Sequence, residues 1–253
     1  MPFVKERRGA PDGFFEAEAA GLAWLRDANG GPRVVGVHDV APDRISLERV
    51  TETRPDAAAA SAFGRALAVM HDAGAAAFGA PPDGWGGPVF IGSRRQPCDP
   101  AAAWGAFYAE QRVRPFLGPA VEAGNLSTAD VEVVHHACDL IAAGAFDDDD
   151  RPARLHGDLW SGNVLWAQGA VVLIDPAAHG GHRETDLAML ALFGCPFLDR
   201  VLAAYDVEHA LRPGWEDRVP LHQLNPLAVH AAGHGSAYGA ALADAARRTL
   251  ALV

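Results

Sequence analysis

Leu155-His156-Gly157-Asp158-Leu159-Trp160-Ser161-Gly162-Asn163, followed by Leu173-Ile174-Asp175-Pro176, decides how this chain is read. Asp158 lies five positions before Asn163 (163 − 158 = 5), and Asp175 lies twelve after it (175 − 163 = 12). The apolar run Val171-Val172-Leu173-Ile174 reads as a buried strand that delivers Asp175. Two carboxylates and a carboxamide at this spacing suit phosphoryl transfer. The first aspartate orients and deprotonates the acceptor hydroxyl. The asparagine and second aspartate hold Mg²⁺ against the phosphates of ATP.

Each residue also has a plainer reading. Asp158 could cap a turn after His156-Gly157, Asn163 could be a turn residue, and Asp175 could close an Asx-turn before Pro176. The three together, in a strand-loop-strand context, favour chemistry: Asp158 as catalytic base, Asn163 and Asp175 as metal ligands. His156 reads as a buried structural hydrogen-bonder rather than an acid or base.

Upstream, Phe3-Val4-Lys5 reads as the end of a strand, and Phe14 to Asn29 as a helix with Phe15, Ala19, Leu22 and Leu25 near one face. Lys5 is the candidate phosphate-binding lysine. Glu18, preferred over Glu16, is its expected ion-pair partner on that helix. Val34-Val37 and Ile45-Val50 read as strands, and Glu48-Arg49-Val50 would offer backbone hydrogen bonds to adenine. From Pro55 the chain turns helical, beginning with Ala57–Ala76 (Phe63, Leu67 and Met70 inward). Pro81–Pro100 reads as a loop. The helices resume with Ala101–Leu117, Thr128–Ala143 and Glu184–Phe193, and with two or three more after Pro196. The expected architecture is α+β with two lobes: residues 1–50, bearing a small sheet, and residues 51–253, mainly helical, with ATP between them.

Composition narrows the partners. With 21 basic and 32 acidic residues the net charge is −11, which argues against nucleic acid or an anionic membrane as partner. Cys98, Cys138 and Cys195 show no CxxC pair and read as reduced thiols of a cytoplasmic protein. Neither an apolar signal region nor a run of about 18 apolar residues is present. Asp147-Asp148-Asp149-Asp150 reads as a solvated loop. His230 and His234, spaced i, i+4, lack an evident third metal ligand.

At Phe3-Val4-Lys5, Phe15-Glu16-Ala17-Glu18-Ala19, Phe90-Ile91-Gly92-Ser93, Leu155–Val164, Ile174–Ala177 and Gly181–Ala188, the chain resembles the fructosamine/ketosamine-3-kinase family. That family is related to aminoglycoside phosphotransferases and protein kinases. The wider group shares HGD-x4-N, and Trp160-Ser161-Gly162 resembles this family in particular. The resemblance implies a protein-kinase-like fold and ATP-dependent phosphorylation of the sugar 3-hydroxyl of fructosamines or ribulosamines. The substrate would be a small glycated amine or a glycated protein lysine. It implies Trp160 in the sugar site and Asp186 as a structural support of the catalytic loop. The family has a helix and two strands with a phosphate-covering loop before the lysine strand. Met1 lies four residues before Lys5 (5 − 1 = 4), which implies either a start assigned too far downstream or a truncated N-terminal lobe. Two alternatives follow: a related aminoglycoside- or choline-type phosphotransferase, and an inactive ATP-binding member.

Overall fold

A computed structural model describes every residue, Met1–Val253. Its elements in chain order are β1 (Phe3–Glu6), α1 (Phe14–Arg26), β2 (Arg33–Val34), β3 (Val37–Ala41), β4 (Arg44–Leu47), α2 (Ala57–Asp72), β5 (Val89–Ile91) and β6 (Arg94–Gln96). Then come α3 (Trp104–Phe107), a π-helical stretch Tyr108–Val113, α4 (Arg114–Glu122), α5 (Thr128–Ala142) and β7 (Ala153–Leu155). A 3₁₀ turn Ser161–Asn163 leads into β8 (Val164–Ala167), β9 (Ala170–Leu173), β10 (His179–Gly181) and α6 (Arg183–Leu192). The chain ends with α7 (Leu198–Glu208), α8 (Trp215–Ala231) and α9 (Ser236–Leu250). The α+β architecture of two lobes is as expected.

The first sheet has the order β1-β4-β3, all antiparallel, with Phe3 opposite Leu47 and Lys5 opposite Ile45. Ile45 and Leu47 are fully buried. Lys5 therefore leaves the sheet on its buried face, toward α1. That helix buries Phe15, Leu22, Trp24 and Leu25 and ends at Arg26, three residues before the expected Asn29. The expected strand Val34–Val37 is two strands. Val34 and Val35 leave the first sheet and run beside β9, with Arg33 opposite Val172 and the Val35 amide bonded to the Leu173 carbonyl (3.0 Å).

The β8–β9 hairpin explains the twelve-residue spacing. Val164 faces Leu173 and Ala167 faces Ala170 across a tight turn. Asn163 therefore lies opposite Ile174, whose amide bonds to the Asn163 carbonyl (3.2 Å). Asp175 follows one residue later.

Two apolar cores hold these pieces. One joins α1, β4, α2, β8, β9 and α7, and contains residues from both sides of Val50. The other joins the π-helical stretch, α4, α5, α8 and α9. Asp56 caps α2 by accepting the Ala59 amide (2.8 Å), worth about 1 kcal/mol.

The structure corrects the reading of Pro81–Pro100 as a loop. Val89–Gln96 forms the antiparallel hairpin β5–β6. Its strands are three residues each, too short to show a period of two. The acidic run is also less solvated than expected. Asp147 accepts the Gly105 amide (2.7 Å), Asp148 meets His182 (3.3 Å), and Asp150 pairs with Arg183 (2.6 Å).

Candidate active site

The loop after β7 reverses direction at Gly157, whose φ is +78°. A side chain here would be strained, and its Cβ would lie 2.2 Å from the Ala177 carbonyl. Glycine therefore lets the loop pass against the segment that follows Asp175. A Cβ on Gly162 would meet the Trp160 ring at 2.3 Å, so the indole lies against a bare backbone. Trp160 is 39% exposed and meets the edge of Phe193 (centroids 5.9 Å apart).

Buried partners fix the loop from below. The Asp186 carboxylate accepts the His156 amide (2.8 Å) and the Gly157 amide (3.0 Å), and meets His71 Nε2 at 3.3 Å. Burial works against the Asp186 charge, but bonds from His71 and the field of His156 outweigh it and hold its pKa low. His156 accepts the Asp158 amide at Nδ1 (3.2 Å), so Nε2 carries the proton and donates to the Ile174 carbonyl (2.9 Å). Burial pushes its pKa down, keeping it neutral. One imidazole thus links the backbone of Asp158 to the residue before Asp175.

Asn163 Nδ2 donates to the Asp158 carbonyl (2.8 Å), the Asp158 carboxylate (3.1 Å) and the Asp175 carbonyl (3.4 Å). Three oxygens around one end of the amide fix its orientation and leave Oδ1 without a protein partner. Burial raises the Asp158 pKa to about 7. The Asn163 bond opposes the rise, and the charges of Asp175 and Asp186 add to it. A carboxylate titrating near neutrality is suited to general-base work. Asp175 has φ +54°, a left-handed conformation that aspartate tolerates better than most residues.

Lys5 Nζ bonds to Glu18 (2.7 Å) and to Asp175. Burial works against its charge, but the two carboxylates outweigh it and raise its pKa. The pairing selects Glu18 over Glu16.

Two cavities meet at this ion pair. The larger, about 460 Å³, contains Asp158, Trp160, Asn163, Asp175, Lys5 and Glu18, walled by Phe14, Trp85 and Phe90. The smaller, about 270 Å³, is lined by Glu48, Arg49, Val50, Phe3, Leu165 and Ile174, and shares Lys5 and Asp175 with the first. The Glu48 amide bonds to the Gly36 carbonyl (2.7 Å), and its side chain pairs with Arg33. The Glu48 carbonyl and Val50 amide have no backbone partner in the chain.

All eleven sequence-derived residues therefore assemble around one cleft: nine line its two cavities, and His156 and Asp186 lie beneath. Sequence reasoning missed the aromatic wall of Phe14, Trp85 and Phe90. It also missed the buried chain from Asp186 through His71 to Tyr205 (2.8 Å) and Arg183 (3.1 Å). Phe90 and Arg183, each within a stretch shared with the resembled family, carried a signal.

The histidines of the helical lobe make a self-contained network. His182, Glu184 and His222 bring ligand atoms within 4.8 Å of one another. Arg218 grips both Glu184 oxygens (2.6 and 2.9 Å), and His222 meets one of them at 3.3 Å. The Arg218 guanidinium thereby balances the Glu184 charge without a metal ion. His230 is bonded to the Pro226 carbonyl (2.7 Å), and its ring lies 5.0 Å from that of His234. No helix is long and apolar enough to cross a membrane.

Known proteins are similar to this chain in sequence and fold. The chain matches the family described as fructosamine kinase over residues 2–251. It is 34% identical over 230 residues to a candidate ketoamine kinase of Lactiplantibacillus plantarum, covering 90% of this chain and 79% of that protein. The crystal structure of a candidate fructosamine-3-kinase from Thermobifida fusca superposes with a TM-score of 0.91 at 47% identity, covering 99% of this chain and 85% of that one. The gentamicin complex of APH(2″)-IIa, at 13% identity, TM-score 0.58 and coverage of 98% and 84%, shows the fold alone: that of a kinase-like phosphotransferase. With the match spanning nearly the whole chain, the protein belongs to the fructosamine kinase family.

Proposed function

We propose that the chain transfers the γ-phosphoryl group of ATP to the sugar 3-hydroxyl of fructosamines or ribulosamines. The observation that carries this reading is the Asp158 carboxylate, steered by Asn163 into the cavity that also holds Trp160, Lys5 and Asp175. Family membership favours a sugar-amine acceptor over an aminoglycoside or choline.

In this reading adenine occupies the smaller cavity, against the Glu48 carbonyl and Val50 amide, and the triphosphate crosses Lys5. The sugar lies in the larger cavity with its apolar face on Trp160. Asp158 accepts a hydrogen bond from the 3-hydroxyl, aligns the oxygen and takes its proton as the bond to the γ-phosphorus forms and the bond from that phosphorus to the bridging oxygen breaks, releasing ADP. Glu18 holds the Lys5 ammonium where it meets the phosphates. Asp186 and His156 keep the loop backbone fixed so that Asp158 needs no reorganisation.

The donor set fits Mg²⁺. Asn163 Oδ1 is free, and Asp175 offers carboxylate oxygen one residue beyond its hairpin partner, a hard oxygen pair of the kind this ion takes beside phosphates. When bound, Mg²⁺ would neutralise phosphate charge and orient the transferred group. Lys5 would exchange its bond to Asp175 for one to phosphate.

Incubation with Mg-ATP and a panel of fructosyl- and ribulosyl-lysine adducts tests the proposal. The expected product is the 3-phosphate, identified by phosphorus–proton NMR, with turnover lost in Asp158→Ala while ATP still binds. Absence of transfer to every ketosamine, with ATP bound, would overturn it and leave the other phosphotransferase and the inactive ATP-binding readings.

A further inference from the structure

The acceptor cavity contains a cation that the transfer step does not use. Four carboxylates (Glu6, Glu18, Asp158, Asp175) and two basic side chains (Lys5, Arg7) line it. Lys5 is neutralised by Glu18 and Asp175. Arg7 forms no ion pair and no side-chain hydrogen bond within the chain, yet it is held in place. Its guanidinium carbon lies 4.8 Å from the centroid of the Phe14 ring, over its face. Its amide donates to the Asp43 carbonyl (2.9 Å), and its carbonyl accepts from Ala10 (3.2 Å).

Position assigns Arg7 to the acceptor rather than the nucleotide. The smaller cavity shares Lys5 and Asp175 with the larger one but does not reach Arg7. Arg7 follows the last residue of β1, two residues beyond Lys5, roughly 6–7 Å along the backbone. Arg7 also touches none of Glu18, Asp158 and Asp175, the carboxylates around the transfer. A guanidinium resting on an aromatic face, with its forked donors unspent, matches a carboxylate in a bidentate geometry.

We infer that Arg7 binds a carboxylate on the acceptor, and that the preferred substrates are ketosamines of free α-amino acids rather than glycated side chains of proteins. This rests on the sugar 3-hydroxyl reading above. In such a molecule the α-carboxylate carbon is six bonds from the 3-oxygen, a span of roughly 6–7 Å when extended. A glycated lysine within a protein carries only a neutral alkyl chain at that distance.

The test compares fructosyl-glycine with fructosyl-glycinamide, using Mg-ATP and the full chain. The wild type should favour fructosyl-glycine about tenfold or more in kcat/KM, the scale of a charge-assisted bidentate contact. Arg7→Gln should erase the preference by raising KM for fructosyl-glycine alone, leaving kcat, KM for ATP and the amide kinetics unchanged. Arg7→Lys should recover part of it. Equal kcat/KM for the two adducts in the wild type overturns the inference and leaves the reaction standing. A fall in kcat on both adducts in Arg7→Gln, or a rise in KM for ATP, also overturns it, because Arg7 would then serve phosphate. If neither adduct is phosphorylated, the underlying reaction fails and the inference fails with it.

Discussion

Asp186→Asn is the most revealing single change, because the side chain touches no reactant and yet holds the residue that does. The carboxylate is 1% exposed and accepts two consecutive loop amides, at 2.8 and 3.0 Å, besides its contact with His71. Asparagine keeps one carbonyl oxygen for one amide and turns an NH₂ group toward the other. One buried N–H loses its acceptor, at about 1–3 kcal/mol, and the surviving bonds lose their charge assistance. A destabilisation of about 3 kcal/mol corresponds to a melting temperature about 6–12 °C lower for a chain of this size. The loop also shifts, and a displacement of about 1 Å at a reacting group costs about 100-fold in rate. KM for ATP should hold steady, because Lys5, Glu18 and the smaller cavity are untouched. Thermal denaturation followed by circular dichroism, with steady-state kinetics on the same samples, checks both halves. A variant that melts within about 2 °C of the wild type would refute the claim that these two amides depend on Asp186.

Three further outcomes follow from other parts of the site. Trp160→Ala should raise KM for the ketosamine about 3–10-fold, the worth of one aromatic face, with KM for ATP and the melting temperature little changed. An equal effect on both KM values would remove Trp160 from the acceptor side. Lys5→Met should lower kcat/KM for ATP by about 100–1,000-fold, leaving Glu18 and Asp175 without their cation; isothermal titration with ATP would expose an unaffected nucleotide site and sink this assignment. His222 gives the pH dependence. Its pKa falls from 6.5 to about 4 because burial disfavours the cation, although Glu184 pulls the other way. The unfolded chain takes up this proton near pH 6.5 and the native state only near 4. Stability is therefore fully present above 6.5 and falls as pH drops toward 4, by up to about 1.4 kcal/mol per pH unit. His222→Phe should flatten that slope in melting curves between pH 7.5 and 4.5, and parallel curves for variant and wild type would disprove it.

The groups proposed to react were legible in the sequence because the hairpin makes them local. Asp158, Asn163 and Asp175 fall within one turn and one β8–β9 hairpin, so chain spacing sets their separation almost directly. Lys5 and Glu18 were legible for a similar reason: a short strand followed by a helix leaves little choice of partner. Phe14 and Trp85 were not, and Phe90 only through a stretch shared with the resembled family. Their approach depends on how the β5–β6 hairpin closes over α1, and three-residue strands carry no periodic signal. The charged run at Asp147–Asp150 misled because charge alone does not say what it meets. Arg183 and His182 stand together at the start of α6, and the Gly105 amide belongs to α3, both far from the run in sequence.

The same contrast separates chemistry from placement in this fold. The groups proposed to react are few, contiguous and partly open to the cleft. Those that place them are buried and drawn from α2, α6 and α7. His71 joins Asp186 to Tyr205, and Tyr205 joins Arg183, which in turn grips Asp72 at 2.9 Å and Asp150 at 2.6 Å. The catalytic loop is thus tied through buried side chains to the packing of α2 against α7. Each link removes an acceptor or donor that burial would otherwise leave unpaired, so breaking one is felt along the rest. His71→Phe separates this coupled arrangement from a set of independent bonds. The ring volume is kept, but Tyr205 and Asp186 lose their bridge. If the chain acts as a unit, His71→Phe combined with Asp186→Asn should destabilise by clearly less than the sum of the two alone, by about 0.5 kcal/mol or more. Strict additivity in urea denaturation would mean that the helices support the loop only through shape.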